Sequence, residues 1–225
     1  MRAQDNSKHY GLALNRSHKT LVSIWPYLII SALLLFSVTS VSFAQWREDD
    51  REDDCIRYKG PKHGGVIPIK VVCVWPLTPQ SVRKVLSKPE HYDRCLSRIE
   101  SSKLISTSGH RLKSKTIRIY QVHNGSPASD RGLYLDYHLE QGGDRWRMTF
   151  KKSPADQVKP ITDHVEAKAN RGYWEVKRHA QGVQVTLESL YDPGGSVPSF
   201  LVRWFISGGV QKMMNELRAC ARRTQ

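Results

Sequence analysis

The chain has 225 residues, 39% of them hydrophobic and 25% charged, and 35 Lys and Arg against 21 Asp and Glu leave a formal net charge of +14. Once an amino-terminal leader is set aside, that length suits one globular domain with a sizeable core and leaves no need for a second. The basic excess points to a polyanionic partner, but the aromatic and basic residues are not interleaved as in RNA-recognition modules, so nucleic acid is not the expected partner.

Arg2, Lys8, Arg16 and Lys19 against Asp5 make a basic start, and Leu21 to Phe43 carries no charge. Ser42-Phe43-Ala44 then offers the small-x-small pattern of a signal-peptidase site before Gln45. Residues 1–44 therefore read as a signal peptide and the body as periplasmic or extracellular. The rival reading is an uncleaved anchor, since the apolar run approaches the ~20 residues that span a bilayer; Pro26, Ser37, Thr39, Ser40 and Ser42 thin its hydrophobicity. Either way the body lies outside the cytoplasm and keeps most of the positive charge. There the common polyanion is the phospholipid headgroup layer, each basic residue near it being worth about 1 kcal/mol, so peripheral contact with an anionic membrane is expected.

Residues 45–54 contain a doubled Arg-Glu-Asp-Asp unit, which reads as a charged, solvated spacer before a domain over 55–225. Cys55, Cys73, Cys95 and Cys220 have no Cys-x-x-Cys spacing, and in an exported chain they can persist as disulfides in any of three pairings, or as four buried thiols. The turn Gly60-Pro61-Lys62-His63-Gly64-Gly65 would fold Ile56–Tyr58 back on Ile67–Trp75 and set Cys55 opposite Cys73.

Thr78 as N-cap and Pro79 as first residue open a short helix through Val82, Val85 and Leu86, and Pro89 starts a second through Leu96. Ile117 and Ile119 suggest a strand. Leu133, Leu135, Tyr137 and Leu139 alternate with polar residues, as do Trp146, Met148 and Phe150 beyond the turn at Gln141–Asp144, which makes a hairpin with one apolar face. After a longer break come Trp174 and Val176, then Val183, Val185, Leu187 and Tyr191. The order of strands, short helices, strands and a long helix excludes a doubly wound parallel sheet.

Nucleophile-elbow, zinc-helix, phosphate-loop and dinucleotide motifs are absent. His91, His110, His123, His138, His164 and His179 are scattered without ligand spacing and read as solvated residues. Asp136, His138 and Glu140 share one strand face, the nearest thing to an acid–base cluster, and such a face ordinarily meets water. No catalytic residue, metal site or cofactor is expected.

At Tyr191-Asp192-Pro193-Gly194-Gly195-Ser196-Val197-Pro198 a strand breaks and helical spacing begins, with Ser196 as candidate N-cap and Leu201, Trp204, Phe205, Met213, Leu217 and Cys220 near one stripe. This junction resembles the START (steroidogenic acute regulatory protein-related lipid transfer) family, whose strand, Asp-x-x-Gly-x-x-Pro turn and long C-terminal helix match here at Asp192, Gly195 and Pro198. Tyr173–Val176 leading to Val183–Thr186 is similar to the family's penultimate hairpin, and Thr78–Val82 to the start of its first helix.

The resemblance implies an α+β helix-grip fold: a curved antiparallel sheet with two short helices and a long C-terminal helix over a hydrophobic cavity. It implies cavity walls from Trp146, Met148, Phe150 and Trp174 of the sheet and Leu201, Phe205, Met213 and Leu217 of the helix. Residues 153–163 take the place of the family's omega loop, with Pro154, Val158, Pro160 and Ile161 as gate; from composition alone the same stretch reads as a surface connection. The short helices would support the far end of the C-terminal helix, which puts Cys95 within reach of Cys220. The implied function is non-enzymatic, monomeric binding, and transfer, of a lipid or other apolar ligand. The alternatives are an enzyme on the same scaffold, like the polyketide cyclases and aromatases, or a ligand-sensing adaptor. An enzyme requires a polar group inside the cavity with a displaced pKa.

Overall fold

The computed structural model describes residues 45–225 apart from 65, 110–113, 143–144, 196 and 198–207. The leader, His110, Ser196, Pro198, Leu201, Trp204 and Phe205 lie outside the described residues. In chain order the elements are β1 (Arg47–Glu52), β2 (Cys55–Lys59), β3 (Ile69–Trp75), α1 (Pro79–Leu86), a 3-10 helix (Pro89–Arg94), β4 (Ile99–Ser108), β5 (Ser114–His123) and β6 (Arg131–Gly142). They continue with β7 (Arg145–Lys152), a 3-10 turn (Ala155–Gln157), β8 (Val165–Glu166), β9 (Ala169–His179), β10 (Gly182–Asp192) and α2 (Val210–Arg222).

The strands form one curved sheet in the order β1-β2-β3-β10-β9-β7-β6-β5-β4, antiparallel throughout this path, with β8 beside β6 in parallel. Alternation fixes its inner face. Ile69, Val71, Cys73 and Trp75 of β3 are buried while the residues between them are half-exposed, and the pattern repeats with Val183, Val185 and Leu187 of β10. A one-residue slip would turn each of these sets outward, so burial specifies the register. Helix α2 lays Val210, Met214, Leu217 and Ala221 against that face, one stripe at helical spacing.

Both short helices stand where the sequence predicts them. The Thr78 side chain accepts from Ser81 N at 3.2 Å, Pro79 occupies the first turn, and Val82 and Leu86 are fully buried. The far end of α2 is tied down several times over. Cys220 is bonded to Cys95 across 125 residues of chain, Ser97 N donates to Glu216 Oε2 at 2.9 Å, Arg218 pairs with Asp54 at 2.8 Å, and Thr224 Oγ1 donates to the Ser81 carbonyl at 3.2 Å. Cys55 and Cys73 form the other disulfide, directly opposed in the β2–β3 register.

The Arg-Glu-Asp-Asp tract is exposed, but it is not a loose spacer: Arg47–Glu52 is edge strand β1, paired to β2 with a bulge between Glu48 and Asp50. Cross-strand charge explains this. Arg57 of β2 reaches Asp49 at 2.8 Å and Asp50 at 3.0 Å, and Lys59 reaches Asp49 at 2.6 Å. At the opposite edge β4 is also bulged, between Leu104 and Ser106, and leaves Leu104 and Ile105 about half exposed.

Candidate ligand cavity

Between the sheet and the first described turns of α2 the inward side chains do not meet, and a cavity of about 200 Å³ remains. Its apolar wall includes Leu96, Phe150, Trp174, Leu187, Val210 and Met213. Of the side chains expected to line it, Phe150, Trp174 and Met213 do so. Trp146, Met148 and Leu217 are buried in the core and reach no part of the cavity. Alternation shows which face is inward, but not whether something fills the space opposite. Leu201 and Phe205 lie outside the described residues.

The expected gate is elsewhere. Gln157 accepts from Arg118 through its backbone carbonyl at 3.1 Å and its side-chain oxygen at 2.9 Å, and Tyr120 donates to Asp163 at 3.1 Å. Arg118 and Tyr120 alternate with inward Ile117 and Ile119, so this segment docks on the outer face of the sheet. Pro154, Val158, Pro160 and Ile161 accordingly line no part of the cavity; the β5–β6 connection does, through Asn124, Gly125 and Ala128.

The turn after β10 shapes one end of the cavity. Asp192 Oδ1 accepts from Gly194 N at 3.0 Å, and Gly194 and Gly195 follow with φ of 64° and 65°, a left-handed pair that side chains disfavour. This brings the Pro193 carbonyl to Arg131, whose Nε donates to it at 2.9 Å while Nη1 donates to the Ser129 carbonyl. Asp192 and Gly195 thus serve the turn, and Pro198 lies outside the described residues.

A polar cluster interrupts the apolar wall. Gln121, 1% exposed, donates to Ser102 Oγ at 3.1 Å, and Ser102 donates to the Pro89 carbonyl at 2.7 Å. The Gln121 amide oxygen faces Tyr137 OH at 3.4 Å and His123 Nε2 at 3.2 Å, which assigns the proton to Nε2 and leaves Nδ1 a lone pair. Burial pushes His123 down to about 4 and Tyr137 and Tyr191 upward, so at neutral pH all three are uncharged. His123 is thus half-buried and hydrogen-bonded rather than freely solvated. Gln121 and His123 continue the period-two face of Ile117 and Ile119, and two polar residues on an inward face were the available sequence signal for this cluster.

The acid–base candidates of β6 are spent on the outer face. Asp136 pairs with Arg118 at 2.6 Å and accepts from Ser153 at 2.7 Å, His138 bonds Thr116 at 3.1 Å, and Glu140 is exposed. Among the described residues no cluster of His, Cys, Asp and Glu could hold a metal ion, and no helix is long and apolar enough to cross a membrane.

No protein-family profile matches the chain, and no curated protein matches it. Solved structures do. A STAR-related lipid transfer protein fragment from Xanthomonas axonopodis is 20% identical, with a TM-score of 0.68 over 79% of this chain and 98% of that one. The chain has the START helix-grip fold. Human STARD10 is similar at 14% identity, with a TM-score of 0.69 over 79% of this chain and 73% of its own. Human StAR-related lipid transfer protein 5 follows at 10% identity and 0.68, over 88% of this chain and 95% of its own. At these identities the likeness is one of fold.

Proposed function

We propose that this chain is an exported START-type protein that binds one lipid or other apolar ligand at a time and exchanges it with a membrane. The observation that carries the reading is the hollow between α2 and the sheet, walled by Phe150, Trp174 and Leu187 of the sheet and Met213 of the helix. Burying a methylene gains about 0.8 kcal/mol in either a bilayer or an apolar cavity, so exchange between the two is nearly balanced. Sites for drug-sized ligands occupy roughly 300–1,000 Å³. At about 200 Å³ the cavity suits a single chain rather than a two-chain lipid without further opening. The leader pattern and the two disulfides support an oxidising compartment outside the cytoplasm, and the basic excess supports peripheral contact with anionic lipid.

Mass spectrometry of apolar compounds that co-purify with the exported protein tests the reading directly. Protein that carries nothing and extracts no fluorescent fatty acid even from anionic vesicles would end it. Amino-terminal sequencing is expected to begin at Gln45; a chain still starting at Met1 and resisting alkaline extraction from membranes would show an anchor.

One observation favours an enzyme on the same scaffold: His123 lines the cavity with a displaced pKa. A base near 4 is nevertheless poorly matched to work at neutral pH, where catalysis favours a pKa near the operating value. Its Nε2 proton is also committed to Gln121. Conversion of the co-purifying compound by wild type and not by His123→Gln would replace carriage with catalysis.

A further inference from the structure

The cavity is one-sided in charge. Its polar wall includes Arg98 and Arg131, and among the described residues no carboxylate lines it. Arg131 is 6% exposed, and among the described residues both of its hydrogen bonds go to backbone carbonyls, those of Pro193 and Ser129. The neighbouring Asp130 carboxylate accepts instead from Gly125 N at 2.9 Å. The outer face is built differently. There Arg118 has Asp136 and Arg145 has Glu175.

A buried guanidinium without a bonded carboxylate is costly, and the cost is offset when an anion reaches it. Its planar fork presents parallel donors that suit a carboxylate or phosphate. The two carbonyls fix Arg131 from opposite sides, through the β5–β6 connection and the turn after β10, so little side-chain freedom remains to be lost on binding.

Resting on the lipid-binding reading above, we propose that the ligand is a single-chain anionic amphiphile, its tail against Phe150, Trp174 and Leu187 and its carboxylate or phosphate head at Arg131. His123 stays neutral at the same wall and offers the Nδ1 lone pair, an acceptor only, so it adds no second cation.

The test compares heads on one tail by calorimetry with the mature protein: dodecanoate, dodecyl phosphate and dodecanol, with acetate and inorganic phosphate as tail-less controls. Wild type is expected to bind at least one of the two anionic forms roughly tenfold or more tighter than dodecanol, the scale of one charge-assisted hydrogen bond. Which anion leads identifies the head. Arg131→Gln should bring the anion-to-alcohol ratio close to one, and Arg131→Lys, which keeps the charge but loses the planar fork, should fall between the two.

Equal binding of acid, phosphate and alcohol by wild type would overturn the proposal while leaving lipid binding intact. So would a ratio preserved in folded Arg131→Gln, or acetate or inorganic phosphate competing as well as the amphiphile. The wild-type ratio decides even if the Gln variant fails to fold. Binding of none of the three amphiphiles would overturn the lipid-binding reading, and this proposal with it.

Discussion

The two ends of the space between α2 and the sheet share one stripe of the helix and end up different. Around Leu217 and Ala221 the space is closed: α1 packs on α2, Leu86 and Val82 are fully buried, and Cys220, Glu216, Arg218 and Thr224 tie the helix to the rest of the chain. Around Val210 and Met213 the same stripe faces the cavity, whose wall mixes Phe150 and Trp174 with Gln121, His123 and Arg131. Fixing one end of a helix firmly is what allows the other end to stand over a hollow without the whole element peeling away. Close packing and open cavity are thereby divided along one helix.

The largest effect is expected from removing the Cys95–Cys220 bond with paired Ser substitutions. A bridge closing 125 residues of chain should be worth about 5 kcal/mol in the chain-entropy account, read as a fall in the denaturant midpoint. Leu217→Ala, at the closed end, should cost about 3 kcal/mol of unfolding free energy. Retained ligand uptake per folded molecule would show that the two ends are separable.

At the hollow end, His123 sharpens the contrast through pH. Its folded pKa of about 4 lies below the ordinary histidine value of about 6.5, so between these the unfolded chain holds the extra proton. Stability is therefore lost as pH falls from about 6.5 toward 4, by at most about 1.4 kcal/mol per pH unit, and His123→Gln should flatten that slope in urea titrations at several pH values. Met213→Ala should have the smallest effect on folding, about 1 kcal/mol, because the half-buried side chain faces space rather than packed atoms. It should change ligand affinity more than Leu217→Ala does. The reverse ranking would mean that the hollow and the core have been assigned to the wrong ends.

Much of the fold was legible because burial imposes period two on strands such as β3 and β10, and because Thr78-Pro79 and Asp192–Gly195 have local physics of their own. The Cys55–Cys73 bond followed from a turn of the right length. The site was less legible for a geometric reason. Met148 and Phe150 sit two residues apart on one inward face, yet the first is core and the second lines the cavity. Which it becomes depends on the curvature of the sheet and the height of α2 above it, neither of which leaves a mark on the local sequence. The 153–163 segment was open between gate and surface connection for a similar reason: its Pro and polar residues are compatible with either place, and Arg118 and Tyr120 on a distant strand hold it on the outer face.

An open sheet, unlike a closed barrel, ends in two strands with unpaired backbone, each a template for another molecule's strand. Here both ends are interrupted, β1 between Glu48 and Asp50 and β4 between Leu104 and Ser106. A bulge breaks the even row of amides and carbonyls and increases the local twist, so a flat strand from a second copy finds no continuous ladder to extend. On β1 the alternating Arg, Glu and Asp side chains add a band of charge that an incoming strand would have to desolvate. On β4, Lys103 stands beside exposed Leu104 and Ile105, a single charge guarding the stretch most open to self-association.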